Sequence, residues 1–212
     1  MKETLDNAGL KNVDIYPNGR FRPTKEYDII KNYNKPLKCV FFSLIQPQKG
    51  VDNIINAAKQ LPNIEFHLYG HVDTNYEKVF ESEISNVENI KYHGVFSGSS
   101  EQVYEELRKY DVLLFPTKWK IEGVPGILVE SKIAGLAAIV SNESYNSEIV
   151  SSSEGVLLQN NKDECLVQAI LLLDKNRDLL NKYKTGNLAS ADFYYIEKYV
   201  EGITQQIRGG TQ

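Results

Sequence analysis

The sequence predicts a doubly wound α/β fold, with about six parallel strands in one sheet, helices on both of its faces and a helical C-terminus. The strand-like segments are continuous apolar runs, such as Leu37–Ser43 and Asp111–Phe115, which is typical of strands buried on both faces. Amphipathic segments of helical length separate these runs, while the last third of the chain has only helical patterns. Strands joined by helical crossovers run parallel, so helices are expected to cover both faces.

Residues 1–36 are expected to form an initial strand and a connector. Val13–Tyr16 has the pattern of a short strand, and Pro17-Asn18-Gly19 is typical of a turn. The stretch Arg20–Pro36 is polar and without clear periodicity, which favours a connector.

Residues 37–160 are predicted to form the strand–helix core of a single domain that spans residues 1–212. The predicted strands are Leu37–Ser43, Ile64–Tyr69, Ile90–His93, Asp111–Phe115, Leu136–Val140 and Gly155–Leu158. The predicted helices are Gly50–Leu61, Tyr76–Ser85, Ser100–Lys109 and Pro125–Ala134. Ser100 is expected to cap the third of these helices, whose first turns carry acidic residues that the helix dipole favours.

Residues 161–212 are predicted to be helical. The expected helices are Asp163–Leu173, Arg177–Tyr183 and Ala191–Ile207. The sequence shows no internal repeat, low-complexity tract or second domain boundary, which favours one domain.

The composition is ordinary for a soluble protein and argues against several classes. A hydrophobic fraction of 42% over 212 residues is enough for a buried core. A net charge of −4 does not favour nucleic acid as a partner. The two cysteines, Cys39 and Cys165, lie in a strand and a helix pattern, which indicates neither disulfides nor a metal cluster and fits a reducing cytoplasm. Because no apolar run approaches about 18 residues and the first residues lack a signal-peptide pattern, no membrane span or leader is expected.

The segment 122–130 has the features of a helix start that binds phosphate. It follows a predicted strand, and Pro125 has a backbone angle suited to the first turn of the next helix. The N–H groups of Gly126, Ile127 and Leu128 are therefore expected to point outward. Such an end attracts phosphate.

Two glutamates and two glycines of the same segment suit a nucleotide sugar. Glu122 and Glu130 can accept hydrogen bonds from sugar hydroxyls, and Gly123 and Gly126 allow a diphosphate to approach the backbone. The alternative is that glycine and proline only mark a helix start and that the glutamates occur there by chance.

Further candidates lie in the loops that follow other strands, where doubly wound folds bind ligands. Lys49 closes the loop after the first core strand and is expected to face a phosphate. Gly94 and Phe96 follow the third core strand and could offer backbone groups and a ring to a base. The alternative for Lys49 is a solvated lysine at a helix start.

Several segments follow one another in an order known from one enzyme family. They are Asn12–Gly19, Phe42–Gly50, Tyr92–Gly94, Asp111–Val140 and Ser141–Val150. In these segments the chain resembles the C-terminal, nucleotide-sugar-binding domain of the retaining glycosyltransferases of family 4. Those enzymes have the GT-B architecture of two Rossmann-like domains, so the resemblance implies one half of a GT-B fold.

The resemblance also implies roles for the candidate residues. Lys49 is expected to bind the donor diphosphate, Glu122 to position the donor sugar in the transition state, and Glu130 to bind the ribose hydroxyls. The N–H groups of Gly126–Leu128 are expected to stabilise the charge on the departing nucleoside diphosphate. The family needs no metal, cofactor or Asp-x-Asp motif, and this sequence has no such motif.

The chain departs from the family at two points. Ser43-Leu44-Ile45 stands where Gly-Arg-Leu usually precedes Lys-Gly, so an arginine that joins the lysine on the diphosphate is missing. Arg20, Arg22 or Lys118 could supply this charge, and weakened donor binding is the alternative. The N-terminal, acceptor-binding domain is also expected to be absent, so that this half alone is inactive or acts with a separate partner chain.

Together these features predict a hexosyltransferase-type domain that binds a UDP-, GDP- or ADP-linked sugar for surface polysaccharide or glycolipid synthesis. It is expected in the cytoplasm, with only indirect, peripheral membrane contact through the missing half. The alternative is a non-catalytic nucleotide-sugar-binding or partner-recruiting module, which Leu44 favours. A dehydrogenase is a weaker alternative, because no Gly-x-Gly-x-x-Gly turn follows the first core strand.

Overall fold

The computed structural model describes residues 2–9, 16–33, 35–121 and 123–209. It contains six strands, each of which lies within one residue of its predicted bounds at either end. They are β1 Lys38–Phe42, β2 Glu65–Tyr69, β3 Ile90–Tyr92, β4 Val112–Phe115, β5 Ala137–Ser141 and β6 Gly155–Leu158. All pair in parallel in one sheet of order β3-β2-β1-β4-β5-β6, which confirms the predicted doubly wound fold.

Helices connect the strands and cover both faces of the sheet. They are α1 Lys2–Asn7, α2 Val51–Gln60, α3 Glu77–Ile84, α4 Ser100–Leu107, α5 Gly126–Ala134, α6 Asn146–Ile149, α7 Asp163–Lys175, α8 Arg177–Ser190 and α9 Glu197–Gly209. Short 3-10 turns cover Pro47–Lys49 and Ala191–Tyr194.

The sheet has an apolar core on each face, which explains the continuous apolar strands. Phe41 of β1 packs with Ile54 of α2 and Ile170 of α7 on one face. The next residue back, Val40, points to the other face and packs with Leu128 of α5. Successive side chains of a strand alternate between faces, so a strand covered on both sides presents mostly apolar side chains to both cores.

The strand order reverses between β1 and β4, and this reversal places the candidate site. The connection from β1 leads to one side of the sheet and that from β4 to the other. The loops 43–50 and 116–125 therefore diverge from adjacent strand ends and leave a crevice between them, the usual ligand position in such sheets.

The N-terminal segment differs in part from its prediction. Residues 13–15 of the predicted strand Val13–Tyr16 lie outside the described residues. Arg20 instead forms a single parallel bridge with Tyr195, which neighbours it only in the folded chain. The connector is fixed by polar contacts, because buried Asn32 donates a hydrogen bond to the Asp111 carboxylate at 2.7 Å.

The C-terminal helices have other bounds than the sequence suggests. Helix α8 continues to Ser190 instead of ending at Tyr183. The predicted helix from Ala191 is wrong over its first part, because a 3-10 turn occupies Ala191–Tyr194 and α9 begins at Glu197. Tyr195, the residue that bridges to Arg20, has an extended backbone and separates the 3-10 turn from α9, and no local pattern signals a partner that far away in sequence.

Three smaller features also differ. Ser99, not Ser100, caps α4: its side chain accepts the Gln102 N–H and the Gln102 side chain accepts the Ser99 N–H, which is a capping box. Helices α1 and α6 were not predicted, since six and four residues are too few for a clear helical period.

The described part of the chain has neither a membrane-spanning helix nor a cluster of metal ligands. No helix there combines the length and the apolar character that crossing a membrane requires. No group of three or more His, Cys, Asp or Glu side chains there is arranged to hold a metal ion. Cys39 and Cys165 are both free thiols, and Cys39 is buried.

Candidate functional site

The loops after β1 and β4 are in direct contact at the floor of the crevice. The N–H of Lys118 donates to the Gln48 carbonyl at 2.9 Å. A methyl group on Gly50 would lie 2.1 Å from the Pro116 carbonyl oxygen, and Gly50 has a φ of +77°. Only glycine fits here, because both the space and the left-handed backbone exclude a side chain.

Lys49 lies in this crevice beside the loop after β4. It ends the 3-10 turn that precedes Gly50, and its Nζ is 5.7 Å from the centre of the Trp119 ring. This distance is within the range of a cation–π contact. Lys118 pairs with Asp52 in the first turn of α2, at 2.6 Å between Nζ and Oδ2.

The start of α5 differs from its prediction in one respect. Pro125 is the N-cap residue with a φ of −65°, and Gly126 is the first helical residue. The N–H of Leu128 donates to the Pro125 carbonyl at 3.1 Å, so the prediction that it points outward is wrong. This bond tightens the first turn and leaves Gly126 and Ile127 as the amides without an acceptor inside the helix.

Glu130 lies one turn further along α5 and pairs with Arg20. The Arg20 Nε is 2.9 Å from the Glu130 Oε1, and the side chains are 21% and 20% exposed. The guanidinium also covers the helix start, because a methyl group on Gly126 would lie 1.9 Å from the Arg20 Nη2. The open face that the sequence suggests at Gly126 is therefore occupied by a cation.

A buried tyrosine lies close to this ion pair. The Tyr104 hydroxyl donates to the Phe21 carbonyl at 3.0 Å, which attaches the N-terminal segment to α4. Burial, together with the nearby negative charge of Glu130, raises the pKa of Tyr104 to about 12. Tyr104 is therefore a neutral hydrogen-bond donor and contributes no charge to the site.

The loop after β3 also reaches the strand ends. Gly94 has a φ of +73°, and its carbonyl accepts the N–H of Gly70 at 2.9 Å. The Phe96 ring packs edge-on against Phe42 and Tyr69, with ring centres 5.8 and 6.2 Å apart. Phe96 is therefore partly engaged in the core instead of standing free.

The loop after β5 holds the loop after β4. Ser144 has a left-handed φ of 52°, which is unusual for a residue other than glycine. Its hydroxyl donates to the Lys120 carbonyl at 2.7 Å. Glu122, two residues after Lys120, lies outside the described residues. Nothing lies within 4 Å of where a side chain on the neighbouring Gly123 would be.

Among the three candidates to replace the missing arginine, only Arg20 is at the helix start. Arg22 pairs with Asp192 at 2.8 Å and stacks on the Tyr195 ring at 4.2 Å. The sequence did not indicate that Arg20 and Asn18 lie close to Glu130. Their distance from Glu130 in sequence explains this, although their position beside a Pro-Asn-Gly turn was a weak signal.

Known proteins resemble the chain in both sequence and fold. The family model described as "Glycosyl transferases group 1" matches residues 23–187. A capsular polysaccharide biosynthesis glycosyltransferase, CapH of Staphylococcus aureus, is 32% identical over 87 residues, which are 41% of this chain and 24% of CapH.

Solved structures resemble the fold at low sequence identity. HepE of Anabaena, solved in complex with UDP, has a TM-score of 0.73 at 16% identity, covering 82% of this chain and 49% of HepE. A sucrose-phosphate synthase of Thermosynechococcus elongatus has a TM-score of 0.77 at 14% identity, covering 98% of this chain and 56% of the synthase. The chain thus spans about half the length of these structures and a quarter of CapH.

The match to the family model extends over most of the chain and includes the strands β1 to β6, the crevice loops and α5. The chain belongs to the group 1 glycosyl transferases and has the Rossmann-like fold of one half of their GT-B architecture.

Proposed function

We propose that this chain is the donor-binding half of a retaining, hexosyltransferase-type glycosyltransferase of family 4. It takes a nucleoside-diphosphate sugar as donor, and the acceptor is bound by a further domain or a partner chain. The observation that carries this proposal is the start of α5, where the Gly126 and Ile127 amides lack an acceptor inside the helix and Glu130 follows one turn later.

The diphosphate is proposed to bind between the start of α5 and Lys49. The N–H groups of Gly126 and Ile127, at the positive end of the helix dipole, donate to the phosphate oxygens. Lys49 adds a mobile positive charge. These groups stabilise the charge that develops on the leaving nucleoside diphosphate, and no step assigned to them needs a metal.

The remaining candidate residues are proposed to bind the nucleoside and the sugar. Glu130 accepts hydrogen bonds from the ribose hydroxyls, and Glu122 positions the donor sugar. Gly123 leaves room for the donor beside the backbone, because nothing lies within 4 Å of where its side chain would be. Gly94 and Phe96 line the side of the crevice where a base would lie.

The pathway is proposed to be surface polysaccharide or glycolipid synthesis on the cytoplasmic side, with only indirect membrane contact. The resemblance to CapH, a capsular polysaccharide biosynthesis glycosyltransferase, supports the assignment to polysaccharide synthesis. The two free thiols are in keeping with a reducing compartment. Because HepE was solved with UDP, UDP is the first nucleotide to test, before GDP and ADP.

Calorimetric titration of the chain with UDP, GDP and ADP tests the proposal. We expect one of them to bind with a dissociation constant below the millimolar range and the matching nucleoside without phosphates to bind at least about tenfold more weakly, because it lacks the charged contacts. If none of the three binds at millimolar concentration, the proposal is wrong.

A second candidate function is a non-catalytic module that recruits a partner. The observation in its favour is a rim of exposed apolar side chains beside the crevice, formed by Leu44, Trp119 and Ile121, of which Ile121 is 89% exposed. Sugar transfer assayed after adding an acceptor-binding partner chain separates the two: a transferase half regains activity, whereas a scaffold does not.

A further inference from the structure

A chain of hydrogen bonds connects the start of α5 to Glu130 through the N-terminal segment. The Asn18 Nδ2 donates to the Val124 carbonyl at 2.8 Å, just before the helix. The Asn18 Oδ1 accepts a hydrogen bond from the Arg20 Nη1 at 2.9 Å. Arg20 then donates through Nε to the Glu130 Oε1 at 2.9 Å. The chain of contacts leaves α5 and returns to it one turn later.

The backbone of Arg20 is fixed independently of this side-chain network. Its N–H donates to the Tyr194 carbonyl at 2.8 Å, and its carbonyl accepts the Ile196 N–H at 3.0 Å. These bonds do not depend on the side chain at position 20. A substitution of Arg20 therefore removes the guanidinium while the bridge that holds the segment remains.

The network occupies one oxygen of Glu130 and leaves the other available. Arg20 binds Oε1, while Oε2 has no hydrogen-bond partner among the described residues. The Arg20 Nη1 is held in addition by the Gly19 carbonyl at 3.0 Å. The guanidinium thus has a defined position, and it restricts a glutamate side chain that would otherwise rotate about three bonds.

We propose that Arg20 is a positioning residue that orients Glu130 to recognise the ribose hydroxyls, so that the site selects ribonucleotides over 2′-deoxyribonucleotides. This inference rests on the proposed function of the same site. A carboxylate whose orientation is fixed before binding loses less conformational entropy when it binds a diol. A carboxylate free to rotate adapts to one hydroxyl almost as well as to two, and then discriminates less.

The test compares UDP with 2′-deoxy-UDP, or the pair with the base that binds best, by calorimetry. In the unchanged protein, loss of the 2′-hydroxyl removes a hydrogen bond to a charged group and is expected to weaken binding about tenfold. Arg20→Ala and Arg20→Lys are expected to reduce this ratio to about two- to threefold, because one ammonium group cannot hold both Asn18 and Glu130. Thermal melting checks that the variants are folded.

Arg22→Ala is the matched control. Arg22 is two residues away, carries the same charge and pairs with Asp192 instead of Glu130. It is expected to keep the tenfold ratio, whereas Glu130→Gln is expected to lose it.

The outcomes separate this inference from the proposed function. Absence of binding by any nucleoside diphosphate contradicts the proposed function itself. Nucleotide binding with a ratio near one in the unchanged protein overturns the inference alone. The inference is also overturned if Arg20→Ala weakens the binding of both nucleotides equally, because Arg20 then has a merely structural role. It is likewise overturned if Arg20→Ala binds both nucleotides more tightly, because the ion pair then blocks Glu130.

Discussion

Two kinds of ion pair attach the outer segments of this chain to its sheet, and they differ in how deeply they are buried. Lys184 with Asp111 and Lys132 with Glu154 are buried pairs, and each lysine side chain is only 1% exposed. The Arg20–Glu130 pair lies at the crevice with about a fifth of each side chain exposed.

Each buried pair joins separate parts of the chain and has further polar partners. The Lys184 Nζ donates to Asp111 and to the Ile30 carbonyl, and the second oxygen of Asp111 accepts hydrogen bonds from Asn32 and from the Lys38 N–H. Burial lowers the pKa of Lys184, and the Asp111 carboxylate opposes that shift. Every group of this cluster is used to hold the connector and α8 against β4.

The second buried pair follows the same rule. Lys132 contacts Glu154, Asn187 and Ser190, which joins α5 to α8. Burial acts to raise the pKa of Glu154, but hydrogen bonds from Lys132, Ser190 and the Ser151 N–H outweigh it and hold the pKa below its usual value. The two buried pairs hold elements of the fold together, whereas Arg20 meets Glu130 at the partly exposed crevice.

The largest effect is expected from Lys184→Met. It leaves the Asp111 charge buried without its cation, and we expect the free energy of unfolding to fall by about 3–5 kcal/mol in urea denaturation. The exposed neighbour Lys182→Met should change it by less than about 0.5 kcal/mol. Adding Asp111→Asn should recover part of the loss, and a loss below about 1 kcal/mol would contradict the buried role.

The next effect is expected from Gly50→Ala at the floor of the crevice. The new methyl group would meet the Pro116 carbonyl at 2.1 Å in a left-handed backbone, and we expect a loss of about 2–3 kcal/mol in the free energy of unfolding. Gly123→Ala is the matched control, because nothing lies within 4 Å of its added methyl group. Equal losses in the two variants would show that the two loops are not closely packed.

A smaller effect on stability is expected from Glu130→Gln. The partly exposed pair should contribute no more than about 1 kcal/mol to the free energy of unfolding. Nucleotide affinity should nevertheless fall about tenfold, since the ribose loses a charged acceptor. Urea denaturation and calorimetry together measure this contrast with Lys184→Met. A destabilisation as large as that of Lys184→Met would place Glu130 among the structural pairs.

The smallest effect is expected from His67 and His93, which are held neutral instead of being paired as ions. They share a hydrogen bond of 2.9 Å, and burial lowers the pKa of both below 6.5. The unfolded chain therefore takes up protons first as the pH falls, so stability is complete above about pH 6.5 and declines below it. Between pH 7.5 and 6 we expect a total loss of no more than about 0.5 kcal/mol, because His93 is exposed and its shift is screened by solvent.

Thermal melts across this pH range measure the effect. His93→Gln, which removes the hydrogen-bond partner of the buried His67, should flatten the decline. A decline of the same steepness in His93→Gln would exclude the histidine pair as its origin.

Predictions from sequence succeeded where structure is local. The strands were found because an apolar run between polar turns is a pattern within a few residues, as in Val112–Phe115. Predictions failed where a remote partner decides the backbone. The stretch Ala191–Tyr195 has a helical pattern, but its bridge to Arg20 ends the helix.

The candidate site shows the same division. Lys49, Gly126 and Glu130 were proposed from short motifs, and their binding roles stay predictions. The fold puts Gly126 and Glu130 in the first turns of α5 and Lys49 beside Trp119 in the loop after β4. The partner of Glu130 was not identified, because Arg20 is 110 positions away along the chain. The first turn of α5 also escaped prediction, since a single bond from Leu128 to Pro125 depends on exact backbone geometry.

The sequence by itself determined the parallel sheet and the residue types in the loops at its strand ends, because apolar periodicity, glycine and proline act over a few neighbouring residues. The strand order, which puts the crevice between β1 and β4, came from the tertiary structure. Only the tertiary structure decided which charges pair. Arg20 meets Glu130, Arg22 meets Asp192 and Lys118 meets Asp52, although all three cations are plausible ligands of a diphosphate in the sequence. The physical reason is that an ion pair forms where packing brings two charges within about 4 Å, and packing is a property of the whole fold.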